Sequence, residues 1–400
     1  MSVGNQVEKP RFFVDLLQYQ YEIGNIRTLT HHDSSNSTDG KINHELIGLK
    51  PIKKYSSAVN NHEWKSIMIG FKNPISIPTS DMFISCLGHK FADVNYKFVI
   101  GFVPVDDGYL QHHYDTGNVP GFAWGNHDYI NKWEYLDHIC NSSGTTHSGI
   151  PEFNGWSIAK FTPGETADTV QENIAGIRIL IVNQDFDTDN PVDWGWDIGG
   201  ISVGMIYEPE FHADLSVTQS RIMDGVKNKK TKGGSTYSVV NYTKPADWWT
   251  GNPFELTSPS SPGNPGSTPQ VGARLGRRSW DVAFSQLSDR FYTDGVPNGV
   301  FPANEMINKF NPDSVNGNYL SDQDYDSSSG MFNYNMENDN SLYSTLYHHT
   351  LGGTLPFIFS PSQDNSPQNF AICRFDKPGF KVTQKSYKKF NVKMKIHESW

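Results

Sequence analysis

Cysteine is nearly missing from this chain: 400 residues carry only Cys86, Cys140 and Cys373. An odd, sparse count supplies no disulfide framework and fits assembly in a reducing cytoplasm. No run of about eighteen apolar residues occurs, so a membrane-spanning helix is excluded. No apolar run follows a basic start, so no signal peptide is expected. Long Ala/Leu/Glu/Lys stretches are absent, which argues against a helical bundle. Positive charge is in deficit, with 33 Lys and Arg against 43 Asp and Glu and a net charge of −10. That balance argues against a broad nucleic-acid footprint. Neither nucleic acid nor membrane is therefore an expected partner.

Catalytic signatures are missing as well. There is no nucleophile elbow, no H-E-x-x-H and no phosphate loop. Gly233-Gly234 follows Lys232 without the rest of a phosphate-binding pattern. Paired carboxylates for glycosidic hydrolysis leave no fixed spacing in a sequence. The expectation is a protein that is not an enzyme, with no catalytic residue, no cofactor and no resident metal.

What the chain does contain is glycine (35), proline (23) and aromatic residues (13%). This favours many short strands joined by turns, with a core built on Phe, Tyr and Trp more than on Leu and Ala. Four hundred residues exceed one ordinary core and predict two domains, 1–210 and 211–400. Strands are expected over 11–23 (one, or a pair of short ones), 64–71, 82–87, 96–105, 156–161, 177–182 and 200–207, with 106–150 as loop. That spacing predicts an all-β chain whose first domain is a jelly-roll-like β-sandwich.

In the second domain, Leu215, Val217 and Gln219 alternate with polar neighbours, and a basic turn follows at 227–234. Residues 257–270 and 303–340 read as exposed loops. Trp280, Val282 and Phe284 share one parity of a strand over 277–287. A helix near 341–350 is predicted, capped by Asn340 or Ser341 and ended by Gly352-Gly353. Strands follow at 355–359 and 370–375. In the last strand, Phe390, Val392, Met394, Ile396 and Trp400 alternate with Lys389, Asn391, Lys393, Lys395 and His397. Glu398 is the single break on its apolar side.

Three constellations could bind something. Asp185, Asp187 and Asp189, with Asp193 and Asp197, offer oxygen ligands at a spacing a calcium ion can use. Asn190 stands where the turn glycine would, Trp196 takes the bidentate glutamate's place, and an ordinary acidic loop is the simpler reading. Trp194 and Trp196 are candidate sugar-stacking residues, with packing beneath a loop as the alternative. The His pairs 31–32, 112–113 and 348–349 have poor spacing for a chelate.

One resemblance spans roughly 198–400. Its blocks are Ile201-Ser202-Val203-Gly204, Asp214-Leu215-Ser216-Val217, Met223-Asp224-Gly225 and Thr231-Lys232-Gly233-Gly234. They are followed by Arg277-Arg278-Ser279-Trp280-Asp281, Thr350-Leu351-Gly352-Gly353-Thr354-Leu355-Pro356-Phe357, Phe370 to Phe375, and Ile396-His397-Glu398-Ser399-Trp400. This order resembles virion structural proteins of tailed, marine, contractile-tailed bacteriophages, and in particular minor and distal tail proteins. The resemblance implies a tail-tube-like β-sandwich with one helix for the second domain. It also implies a structural part of a virion, in the tail or baseplate, assembled in the host cytoplasm. Its partners would be copies of itself and other virion proteins, with Arg277, Arg278, Trp280 and Trp400 as candidate assembly contacts. The alternatives are a glycan-binding module for the host surface, using Trp194 and Trp196, and a capsid-associated decoration protein.

Overall fold

The structure, a computed structural model, describes residues 9–33, 38–41, 46–49, 55–57, 59, 64–76, 82–91, 94, 96–104, 132–135, 140–142, 148–151, 154–162, 173–183, 193–215, 217–222, 226–240, 277–288, 300, 325–326, 331–332, 341–363, 369–379, 381–386 and 389–399. Among them the chain is all-β, dominated by an eleven-stranded and a seven-stranded antiparallel sheet.

Eight strands make a jelly roll. In chain order they are Arg11–Asp15, Trp64–Ser76, Met82–His89, Tyr96–Pro104, Ser148–Pro151, Gly155–Thr162, Asn173–Asn183 and Gly200–Tyr207. The first pairs with the eighth, the second with the seventh, the third with the sixth and the fourth with the fifth. The chain is thus one long ribbon folded back on itself. The ribbon then rolls up, so the eighth strand also pairs with the third and the seventh with the fourth. The result is two facing sheets, as in jelly rolls generally. Their shared core is rich in β-branched side chains such as Ile67, Ile69, Ile84, Ile177, Ile179 and Ile201, which suit pleated surfaces.

The stretch 11–23 departs from the expected strand or strand pair. The strand stops at Asp15, and a helix runs over Leu16–Glu22. Asp15 has extended backbone and its carboxylate accepts the Gln18 amide at 3.1 Å. An aspartate at this position starts a helix, and Leu16 and Leu17 then turn into the roll's core. The eighth strand passes so close that a Cβ on Gly204 would lie 1.8 Å from the Val14 carbonyl oxygen. Only glycine permits that approach.

The boundary near 210 separates two cores but not two sheets. The first strand of the roll sits between the eighth strand and Phe357–Ser360 of the second half. Beyond Phe357–Ser360 the same sheet continues through Ala371–Phe375, Lys389–Glu398, Arg277–Ser288 and Thr218–Ile222. Alternation along the first strand divides its side chains: Phe13 enters the roll's core, whereas Phe12 and Val14 enter the second. Leu355, Ile358, Phe370 and Ile372 in turn complete the roll's core from the second half.

The second core is aromatic, with Phe12, Tyr207, Trp280, Phe284, Phe357, Phe359 and Phe375. Trp280 and Phe359 are three strand positions apart, about 14 Å in a flat sheet. Their ring centroids are 5.1 Å apart, so the sheet curls around them. Ala213, Val300, Leu342, Leu346 and Tyr347 complete this core. The expected helix is present as a π-helical segment over Tyr343–His348. Ser341 accepts the Ser344 amide at 3.2 Å, and Gly352 and Gly353 end the segment at φ +71 and +93. The region 106–150, expected as loop, contributes strands Lys132–Tyr135, Cys140–Ser142 and Ser148–Pro151. The loops 257–270 and most of 303–340 lie outside the described residues.

Candidate functional site

The sugar-stacking expectation is overturned by burial. Trp194 and Trp196 are 4% and 3% exposed and belong to the roll's core. Trp194 meets Tyr96 edge-on at 4.7 Å. The buried Lys65 also holds it, donating to the Trp194 carbonyl at 2.6 Å with its ammonium 4.8 Å from the ring. Trp196 packs on Tyr55 at 5.6 Å, and its backbone is clasped by Ser57. Trp156 is also buried, donating to Ser85 at 2.8 Å. Alternate Trp residues here pack rather than present a platform. Asp185, Asp187 and Asp189 lie outside the described residues, among which no three His, Cys, Asp or Glu side chains are placed to hold a metal ion.

Two of the expected assembly contacts face inward instead. Trp280 is 1% exposed. Arg278 does make a bidentate pairing with a carboxylate, but the carboxylate is Glu398 of the same chain. Arg278 and Glu398 stand opposite one another across neighbouring strands, both on the apolar parity. Nη2 donates to Oε1 at 3.0 Å, and Nε and the backbone amide donate to Oε2 at 3.3 and 2.8 Å. Nη2 also donates to the Phe370 carbonyl at 2.9 Å, and the guanidinium lies 5.1 Å from the Trp280 ring. Glu398, the break in the last strand's alternation, is therefore Arg278's buried counter-ion. Arg277 is half-buried at the strand's start, beside Ile222, and Trp400 lies outside the described residues.

Three polar clusters sit deep in the molecule. In the first, the Phe91 amide donates to Nδ1 of buried His89 at 3.2 Å. The ring proton is then on Nε2, which donates to Ser157 Oγ at 2.8 Å. A histidine that donates to a serine does not activate it as a nucleophile. In the second, Tyr19 bonds His348 Nε2 at 2.9 Å and meets the His349 ring edge-on at 4.9 Å. His349 Nδ1 reaches the Ser344 carbonyl at 2.6 Å. Burial, with His348 alongside, pulls His349 down to about 3. In the third, burial pushes the Asp15 carboxyl up to about 7, outweighing the Gln18 hydrogen bond and the pull of the neighbouring Ser202 hydroxyl. Each cluster joins elements distant in sequence: the Tyr19–His348 bond links the roll's helix to the π-helical segment.

A mostly exposed stretch lies elsewhere, in 211–240. Thr218–Ile222 is the outermost strand at one end of the eleven-stranded sheet. Ahead of it, Leu215 is fully exposed and Phe211 is partly so, with Lys389 over the Phe211 ring at 5.3 Å. Asp214 pins this approach by accepting the Ser285 amide and hydroxyl at 3.0 and 2.8 Å. After it comes a separate two-stranded hairpin, Val226–Lys230 with Thr236–Val240. The sequence marked 227–234 as a basic turn, while the alternation Thr236-Tyr237-Ser238-Val239 was the signal for its second strand. No family model matches this chain, and neither does any curated protein or solved structure.

Proposed function

We propose that the chain is a structural component of a phage virion, placed in the tail or baseplate, and that its role is mechanical. It acts by being held between neighbouring subunits. The observation that carries this reading is the outer strand Thr218–Ile222. It has one strand neighbour among the described residues, Arg277–Ser288, and an exposed apolar approach through Phe211 and Leu215. A strand with one side open accepts another chain by strand addition, and an exposed leucine beside it adds apolar contact. No helix among the described residues is long and apolar enough to cross a membrane. The resemblance of 198–400 to tail proteins supports the same role.

Mass spectrometry of purified particles, intact and separated into heads and tails, tests the placement. Recovery with the tails is the expected result. Recovery with heads alone would move the protein to a capsid-decorating role, and absence from the particle would end the virion reading.

A further inference from the structure

We infer that the hairpin 226–240 is a docking arm that seats on an acidic face of a second copy of this chain. This deepens the assembly reading and rests on it, yet it can fail separately.

The hairpin is not part of either core. Among the described residues its strands pair only with one another, and residues 227–238 are exposed throughout. A lone two-stranded ribbon in water is marginal at best, so a ribbon kept clear of its own body calls for another surface. The turn is nevertheless well built. The Gly234 amide donates to the Thr231 carbonyl at 3.0 Å, and the Thr231 amide to the Ser235 carbonyl at 2.8 Å. Thr231 Oγ1 accepts the Ser235 amide at 3.1 Å. Gly234 takes φ +86, which a side chain would strain. Asn228 and Ser238 bond across the ribbon.

Its chemistry selects the partner. Lys227, Lys229, Lys230 and Lys232 lie within it, with no acid between 226 and 240. Removing those four charges from the net −10 leaves −14 on the rest of the chain, so another copy is an electrostatically complementary surface. A nucleic acid would meet the arm favourably but the body unfavourably. Register places Lys229 opposite Tyr237 and Lys227 opposite Val239. Directly opposed residues share a face, so one side of the ribbon presents Tyr237 flanked by Lys227 and Lys229. Tyr237 is 51% exposed. A tyrosine flanked by two cations fits a surface that carries carboxylates. The acceptor is assigned to Asp193 and Asp197, both exposed. Arm and acceptor are different patches, so a one-way contact builds a ring or a filament, whereas a reciprocal exchange of arms closes a two-fold dimer.

Sedimentation of the purified full chain across protein and salt concentration tests this. The expected result is self-association that weakens as salt rises. Lys227→Glu with Lys229→Glu should weaken it roughly 10- to 100-fold, with circular dichroism and melting temperature unchanged. Mixing that variant with Asp193→Lys, Asp197→Lys chains should restore association between the two. Undiminished association of the lysine variant overturns the arm and leaves another assembly surface standing. Lost association that mixing does not restore overturns the Asp193–Asp197 face. A wild-type chain that stays monomeric, yet is recovered in particles, overturns the copy-to-copy contact while the assembly reading survives.

Discussion

The two cores of this molecule solve the same problem with different materials. Among the described residues, seventeen isoleucines line the jelly roll's core, while the second core has one, Ile396. The second core relies on rings, including a run of contacts from Tyr207 through Phe12 and Phe359 to Trp280. The roll has two facing sheets, so each inward side chain finds a partner layer and a modest β-branched residue is enough. The second core lies in the curl of a single sheet, and large rings span the gap. Each aromatic side chain buries about 150–250 Å². The buried ion pair follows the same division. Arg278 and Glu398 tie two strands of this curled sheet, buried beside Trp280 and the Phe370 carbonyl.

That contrast can be broken, beginning with the largest effect. Trp280→Ala should cost about 3–5 kcal/mol in urea unfolding, because the ring fills the curl and the strands around it cannot collapse fully. A loss of under 1 kcal/mol would mean the rings do not hold the curl. Glu398→Ala strands the Arg278 guanidinium and should cost a similar ~3–5 kcal/mol. Replacing both partners, Arg278→Met with Glu398→Leu, should recover most of that loss. If calorimetry shows the double variant to be no better than the single one, the pair itself supports the fold.

A third test uses pH, since the junction of the two cores carries opposing buried groups. Asp15 has a folded value near 7 against an ordinary 3.8. Its contribution is full in acid and is lost as pH rises from about 4 to 7. His349 has a folded value near 3 against 6.5. Its contribution is full above pH 6.5 and is lost as pH falls toward 3. The two slopes offset one another between pH 4 and 6.5. Asp15→Asn keeps a good helix cap and removes one slope. Its stability should climb from pH 4 to 6.5 and, at pH 8, exceed that of the wild type by on the order of a few kcal/mol in urea unfolding. An unchanged pH profile would show that Asp15 is not held neutral by the fold. The smallest effect is Ile179→Val in the roll, about 0.5–1.5 kcal/mol by chemical denaturation. A larger loss there would erase the difference between the cores.

Much of the roll was legible because alternation and turns are local. The strands over 64–71, 82–87, 96–105, 156–161, 177–182 and 200–207 all lie within or nearly match observed ones, and the jelly-roll order follows from how such strands pair. The aromatic content expected from composition is found in both cores; the isoleucines concentrated in the roll were hidden by an average over the chain. Asp15 as a helix cap was missed because 11–23 alternates well enough to imitate a strand. The break at Glu398 and the pair Arg277-Arg278 were both visible. Their connection was not, since it depends on a register between strands 120 positions apart. The same holds for Tyr19 with His348, 329 positions apart. The tryptophans at 194 and 196 could not be sorted into buried or displayed, because that depends on Lys65 and Tyr96 from other strands.

The placement of Arg11–Asp15 between Gly200–Tyr207 and Phe357–Ser360 sets a schedule for the nascent chain. This strand, made early, is among the last to be flanked on both sides. Synthesis at about 5–20 residues per second means a wait of roughly 20–70 s before its second neighbour leaves the ribosome. Until then Phe12 and Val14 have no core to enter. Premature termination anywhere before about residue 360 would release a chain with that edge bare, so quality control during translation falls hardest on a strand made roughly 340 residues earlier.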